Sequence, residues 1–526
     1  MKKKLPKTAL AAALLGGVAL LYLFSYLIIN FKGFELFADF DIYADTAYAM
    51  EAWKHKSIFP ENWVFGNQYY VIATPVVCAF FYGLTGNINL SMILATTLLT
   101  VLMLLALWWM LAPFTSRLQQ LGAAAVLLGG IITRQVASDH YEGVLFFTMA
   151  GYYSCYLLTI FVVIGDYLRA VRDGKPLRLS TLLSCLLMIA TGMQSLRQTA
   201  VLTLPLIAVE LLRLLFLLIQ KHRLKKAQLM PTLSVGLYTL SNLIGLVLIK
   251  LLDPPSTTIY GDMGLRTAGW AEAIEVNLRV IRRLSGLGYA LEEPNGWLFF
   301  AVALLINGLA WVGFFLSLRR AIKNRSAEDP VLLTQLILLT AMVALFAANL
   351  VIDMNVRSIY FFPWYAFIAV SMGSLLRLPW KTAVAAMLTL ACTVNWFAGY
   401  RADVAAALKA DSTPNVYREI AAYLEETDCR YLYGAWTSTA RVAAYTNGQV
   451  QAGGYYDGVF HILPYINRQD IYTEDHNKHA LYLLGDDGWA AHGLAKAQGA
   501  TLTKVAEFGQ EYTLYSSDKQ LMYHKN

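Results

Sequence analysis

Three aspartates, Asp39, Asp41 and Asp45, open the stretch DFDIYADTAYAMEAWKHKSIFPENWVFGN, which runs from Asp39 to Asn67 directly after the first long apolar segment. The pattern beyond Asp41 is helical. Side chains four residues apart share a helix face, so Asp41 and Asp45 are expected to point the same way. A carboxylate held in this manner can take the proton from a hydroxyl as that hydroxyl attacks. Acids at a helix start also cap its free amides and favour its dipole, and this ordinary role competes for each of the three. Asp39 and Asp41 further spell D-x-D, a metal-binding spelling in soluble nucleotide-sugar enzymes, but no nucleotide-binding α/β unit surrounds it. A divalent metal is possible here, and no cofactor is certain.

A second group lies in DMNVRSIYFFPW, Asp353 to Trp364, where Arg357, Tyr360 and Pro363 stand at the head of a late apolar run. The planar fork of Arg suits a phosphate. Equally, an Arg at a membrane interface snorkels to lipid head groups beside a belt of Tyr and Trp. Two further turns carry polar groups on the side expected for Asp45. One holds Arg134, Asp139, His140 and Glu142 in TRQVASDHYEG, and the other holds Gln194, Arg197 and Gln198 in MQSLRQ. Each alone reads as a solvated turn; together they suggest one polar face. Arg266 belongs to a basic loop, Asp253 to Gly296, whose excess charge matches an anionic lipid head. The stretch GGYYDGVFH, Gly453 to His461, is aromatic and Gly-rich as sugar-contacting loops often are, although a packed turn is the simpler reading.

These residues must be positioned by membrane helices. The chain has 526 residues, 57% hydrophobic and only 15% charged, with a mean hydropathy of +0.48, a composition that excludes an ordinary soluble protein of this length. Apolar runs fall at roughly 9–29, 69–85, 91–112, 121–133, 144–165, 180–193, 199–219, 232–252, 297–318, 331–352, 359–376 and 382–400. The N-terminal MKKKLPK with the first run reads as an uncleaved anchor whose start is cytoplasmic. If 69–85 crossed, every later basic loop would lie outside. If that run, broken by Pro75 and Gly83, stays on one side, the basic connections fall inside, as positive charge in short loops requires. This second reading predicts about eleven spans, with the loop at 30–90 and the C-terminal tail both outside. The net charge of +7 then reports topology and calls for no nucleic acid. The five cysteines form no disulfide framework or metal spacing.

From about Arg401 the composition turns mixed. The pattern predicts helices over Pro414–Glu426 and Trp436–Tyr445. It predicts strands over Cys429–Tyr433, near Gln449, and over Ala480–Leu484, Thr501–Glu507 and Tyr512–Tyr515. The expected organisation is a transmembrane catalytic domain over 1–401, including the outside loop 30–90, and an extracytoplasmic α/β domain over 402–526.

A first span, then an outside loop with acids followed by DTAYAMEAW (Asp45 to Trp53), then a Pro-containing apolar helix that does not cross, resembles the membrane glycosyltransferases of the GT-C fold. These include the protein O-mannosyltransferases and the aminoarabinose transferases. Arg357, Tyr360 and Pro363 stand where that family has an R-Y-x-x-P-like signature, with looser spacing. The family usually has two adjacent acids, whereas here Asp45 is followed by Thr46. The resemblance implies a mainly α, GT-C-like helix bundle in the plasma (inner) membrane. It implies inverting transfer from a polyprenyl-phosphate-linked sugar to an acceptor hydroxyl on a glycan, lipid or protein, with Asp45 as base and Asp41 as helper or alternate. Asp39, Arg134, His140, Glu142, Arg197, Arg266, Arg357 and Tyr360 are the expected substrate contacts. A transporter or flippase of a lipid-linked saccharide, and a non-catalytic scaffold of envelope assembly, are the rival readings. A carrier should place ionisable groups near the bilayer midplane, and Glu210 is among the few acids within an apolar run.

Overall fold

The computed structural model describes residues 6–129, 153–221, 224–257, 264–284, 296–352, 358–410, 414–455, 466–485 and 488–521. In chain order the first elements are α1 (Lys7–Phe37), α2 (Phe40–His55), β1 (Trp63–Val64), α3 (Thr74–Thr85), α4 (Ile88–Leu111) and α5 (Arg117–Gly129). There follow α6 (Ser154–Asp173), α7 (Leu179–Gln194), α8 (Leu204–Lys221), α9 (Lys226–Leu252), α10 (Trp270–Leu284), α11 (Gly296–Lys323) and α12 (Pro330–Val351). Then come α13 (Pro363–Leu375), α14 (Lys381–Asn395), α15 (Arg401–Lys409) and α16 (Val416–Glu425). The tail continues with β2 (Tyr431–Ala435), α17 (Trp436–Tyr445), β3 (Gln451–Tyr455), β4 (Asn467–Arg468), α18 (Asp470–Thr473), β5 (Ala480–Leu484), α19 (Gly488–Ala497), β6 (Leu502–Phe508) and β7 (Tyr512–Ser517).

Among the described residues eight helical segments are long and apolar enough to cross a membrane: α1, α4, α6, Thr199–Gln220, α9, α11, α12 and Lys381–Lys409. The runs expected near 121–133, 180–193 and 359–376 form helices of 13, 16 and 13 residues. The 69–85 run forms α3, of 12 residues. At 1.5 Å per residue such a helix is about 18 Å long, short of a hydrocarbon core of about 30 Å.

The chain divides into two compact units, the first holding residues up to Asn30 with Thr97–Leu251 and Asp262–Ala407. Its centre is α13, which packs on α5, α11 and α12. Every residue from Pro363 to Leu375 is buried, as expected of a helix that is apolar all round. Close approach needs small residues: a Cβ at Gly313 would strike the Ser371 carbonyl. Two polar contacts fix the register, Gln335 Nε2 donating to Ser371 Oγ (3.0 Å) and Ser374 Oγ donating to the Gly313 carbonyl (3.1 Å).

Two buried acids of this unit are fully engaged. Glu210 accepts from Arg213 Nε (2.7 Å), Tyr167 (2.8 Å) and Thr232 (2.6 Å). Asp166 accepts from Thr181 (2.7 Å) and Tyr238, and Arg178 Nη1 stands 3.6 Å away. Buried charges persist only when paired and bonded in this way.

The second unit comprises Phe31–Thr96, Leu252–Gly261 and Leu408–Asn526. Its sheet has the order β3-β2-β5-β7-β6. β2 runs parallel to both β3 and β5, in register at Tyr433 with Gly453 and Tyr482, and β7 runs antiparallel to β5 and β6. Tyr433, Tyr455 and Tyr482 are wholly buried on one side of it, while Leu432, Leu483 and Leu514 pack with α16 residues Ile420 and Leu424 on the other. The first loop is part of this unit. α2 packs on α3 and on α17, and β1 pairs antiparallel with β4, Trp63 opposite Arg468.

Candidate active site

Helix α2 starts where its acids dictate. Asp39 is its N-cap, and its carboxylate accepts from the Ile42 amide at 3.2 Å, so this acid performs the capping role that competed for all three. Asp41 falls in the first turn and Asp45 one turn further, on the same face. Asp41 is half-buried, whereas Asp45 is only 3% exposed.

The residue that meets this face is Tyr70, in the loop before α3. Its hydroxyl is hydrogen-bonded to the Asp45 carboxylate and feels the Asp41 charge as well. Burial first, then the Asp45 charge and that hydrogen bond, push the Tyr70 hydroxyl well above its ordinary value, so it remains a protonated donor. Its ring is wedged edge-on against Tyr48 (centroids 4.7 Å) and Phe65 (5.9 Å). Phe65 in turn is tied through its backbone amide to the Pro255 carbonyl at 2.8 Å. Burial and the same Asp45 charge raise the Tyr48 hydroxyl, which donates to the Ile58 carbonyl at 2.8 Å. Cys78 of α3 is likewise held as a thiol, by burial and then by Asp45. A carboxylate thus sits in a dry wall of neutral hydroxyls, an arrangement able to accept a proton. Sequence reasoning did not single out Tyr70 or Cys78, because both lie in a run that read only as apolar.

In the first unit the structure brings together two of the expected contacts. Arg197 lies in the turn after α7, and its guanidinium sits over the rings of Tyr360 (5.1 Å), Tyr153 (5.3 Å) and Tyr156 (5.6 Å). Its backbone amide donates to Ser195 Oγ (2.9 Å), which also accepts from Tyr156 (3.2 Å). No carboxylate among the described residues pairs with Arg197. Such a cation can receive an anion while its aromatic walls exclude water.

Arg266 has a different engagement. Its amide donates to the Val351 carbonyl (2.7 Å), and its Nη2 reaches the carbonyls of Ile352 (3.3 Å) and Asn349 (3.5 Å). A cation there satisfies the free carbonyls at the end of α12. Arg134, His140, Glu142 and Arg357 lie outside the described residues, as does most of the Gly-rich loop beyond Tyr455. No group of three or more His, Cys, Asp and Glu side chains among the described residues is arranged to hold a metal ion.

No protein-family model matches the sequence, and no curated protein matches it. Solved structures do. The crystal structure of ArnT from Cupriavidus metallidurans bound to undecaprenyl phosphate superposes with a TM-score of 0.51 at 13% identity, covering 95% of this chain and 98% of that one. The apo form of the same protein gives 0.50 at 13% identity, covering 91% and 93%. At that identity the similarity speaks for the fold alone: over nearly its whole length this chain has the GT-C fold of ArnT.

Proposed function

We propose that this chain is a plasma (inner) membrane glycosyltransferase that moves a sugar from a polyprenyl-phosphate donor to a hydroxyl on the extracytoplasmic side. The acceptor O–H adds to the anomeric carbon as the carbon–oxygen bond to the lipid phosphate breaks. The proton goes to Asp45, polyprenyl phosphate departs, and the single displacement inverts the anomeric centre. The observation that carries this reading is the Asp45–Tyr70 contact: a buried carboxylate on a rigid helix, in a wall of groups that stay protonated. Similarity in fold to a protein crystallised with undecaprenyl phosphate supports the donor class.

Asp41, the more open acid, is assigned to the acceptor as helper. Asp39 holds the helix start on which both depend. Arg197, with Tyr360, is the cation assigned to the lipid phosphate, whose charge grows as it leaves. The reading keeps the N-terminus cytoplasmic, and puts the first loop and the 402–526 domain outside with the acid, while 1–401 carries the catalysis.

The transporter reading needs an ionisable group free to change partners within the bilayer. Glu210, the acid that best fitted that need, is bound by Arg213, Tyr167 and Thr232, which favours the enzyme. The test is a panel of polyprenyl-phosphate sugars offered to the purified protein in lipid nanodiscs. Transfer or hydrolysis of at least one, with inverted product configuration, is expected. Binding without turnover across the panel would overturn the proposal.

A further inference from the structure

The face of α2 opposite the acids lines a second feature of the same unit. Ala47, Met50 and Lys54 follow one another at helical spacing about half a turn from Asp45, and they border a cleft of 410 Å³. That volume falls within the range of small-molecule sites, roughly 300–1,000 Å³. Its walls are aromatic: Trp53 from α2, Trp63 from β1, Tyr82 from α3 and Trp436 from α17. Two of these rings are seated on glycine, since a Cβ at Gly83 would collide with the Trp53 indole and one at Gly454 with Trp436. Lys56 Nζ lies over one face of the Trp53 ring, 2.9 Å from its centroid, and rings seated in this way lose little side-chain freedom on binding.

Between the rings the cleft offers amides and one fixed guanidinium. Arg468 is held by Asp470, and donates to Glu51 Oε1 (3.1 Å) and Gln451 Oε1 (3.2 Å). Glu51 also stands 3.8 Å from Lys54. The charged groups lining the cleft are therefore paired with one another, and nothing there selects a strong anion or cation. Tyr82 donates to the Asn447 carbonyl at 2.9 Å. The indole N–H of Trp63, a residue 2% exposed, has no acceptor among the described residues.

Aromatic walls interleaved with the neutral amides of Asn447, Gln451 and Asn467 match the chemistry of a sugar ring, which is apolar on its C–H faces and rich in hydroxyls at its edge. We infer that this cleft binds a neutral oligosaccharide and holds the glycan part of the acceptor, a role that rests on the glycosyl-transfer reading above. One helix then serves two purposes, with acids on one face and a saccharide anchor on the other. A short lipid-linked or free glycan is the acceptor class this selects, in preference to a bare lipid or a peptide.

The test uses the full-length protein in nanodiscs with maltotriose, cellotriose, mannotriose and chitotriose as probes, read by saturable change in tryptophan fluorescence and by ligand-observed NMR. At least one should bind, with Trp53→Ala weakening it about tenfold or more and Trp53→Phe retaining much of it. Trp53 is 36% exposed, so its replacement leaves the core intact; Gln451→Ala provides a second variant should Trp53→Ala misfold. Asp45→Asn should bind the same probe as the wild type. Saccharide binding in Asp45→Asn and turnover in the wild type can fail separately, so the two readings are judged apart. No saturable binding by any of the four probes, or equal binding by Trp53→Ala and Gln451→Ala, would overturn the inference.

Discussion

Replacing Tyr70 by Phe removes one oxygen from the wall around Asp45 and nothing else. The ring keeps its edge-on contacts with Tyr48 and Phe65 at 4.7 and 5.9 Å, so folding should survive. What disappears is a hydrogen bond to a charged group, worth roughly 1.5–3 kcal/mol when buried. The bond also fixes the Asp45 carboxylate for the incoming hydroxyl, so its loss costs orientation, and at 1.36 kcal/mol per tenfold turnover should slow by up to roughly 10- to 150-fold. Any share of the bond already realised in the ground state reduces that figure. The assay is single-turnover transfer from a radiolabelled polyprenyl-phosphate sugar, with donor binding measured in parallel. Donor affinity should stay within about twofold while the rate falls, because Tyr70 bonds to Asp45, the base of the proposed mechanism, whereas the lipid phosphate is assigned to Arg197. The pH dependence supplies a second check. Burial and Asp45 hold the Tyr70 hydroxyl well above its ordinary value, so no alkaline loss of wild-type activity near neutral pH should trace to it. A Tyr70→Phe rate equal to wild type would refute the assignment of Asp45 to a working wall.

Arg197→Ala should weaken binding of polyprenyl phosphate about tenfold or more, with Arg197→Lys intermediate because an ammonium lacks the planar fork; equilibrium binding to nanodisc-embedded lipid measures it, and unchanged affinity removes Arg197 from the phosphate. Glu210→Leu leaves the buried Arg213 guanidinium without its closest carboxylate, with only Glu328 at 3.2 Å and the Gln228 carbonyl remaining, a loss of up to roughly 3–5 kcal/mol. Thermal unfolding in detergent should register it, and the double variant Glu210→Leu/Arg213→Leu should recover most of the melting temperature. In the C-terminal region burial raises the Asp470 carboxyl, but bonding to Arg468 outweighs this and holds it below its ordinary value of 3.8. A depressed carboxylate contributes stability that is present above that value and is lost as pH falls through the lower folded value. Acid melting below about pH 4 should therefore be less steep in Asp470→Asn than in the wild type.

Much of the tail was legible in the sequence. Trp436–Tyr445 and Ala480–Leu484 form over the very residues their periodicity implied, because each is a short element with one clear apolar face. The start of α2 was legible too, since acids before a helical pattern specify a cap. What could not be read was pairing over distance. The two-residue strands that set Trp63 opposite Arg468 carry no periodic signal, so the union of the first loop with the tail was invisible, and with it the saccharide cleft. Tyr70 was hidden by an apolar run whose only visible property was hydropathy. Arg197 was picked out by position, but its cage draws on Tyr153 and Tyr156, which no local spacing connects to Tyr360. Arg266 read as a lipid contact because basic loops outside the membrane invite that explanation. The carbonyls that it meets become free only because α12 stops at Val351.

The role of Asp45 is tested most directly by one comparison: transfer from a polyprenyl-phosphate sugar by the wild type and by Asp45→Asn, an exchange that keeps shape and removes the basic oxygen. Loss of a positioned base predicts a rate lower by roughly 100-fold or more, with lipid affinity preserved. Turnover by Asp45→Asn at the wild-type rate would contradict it.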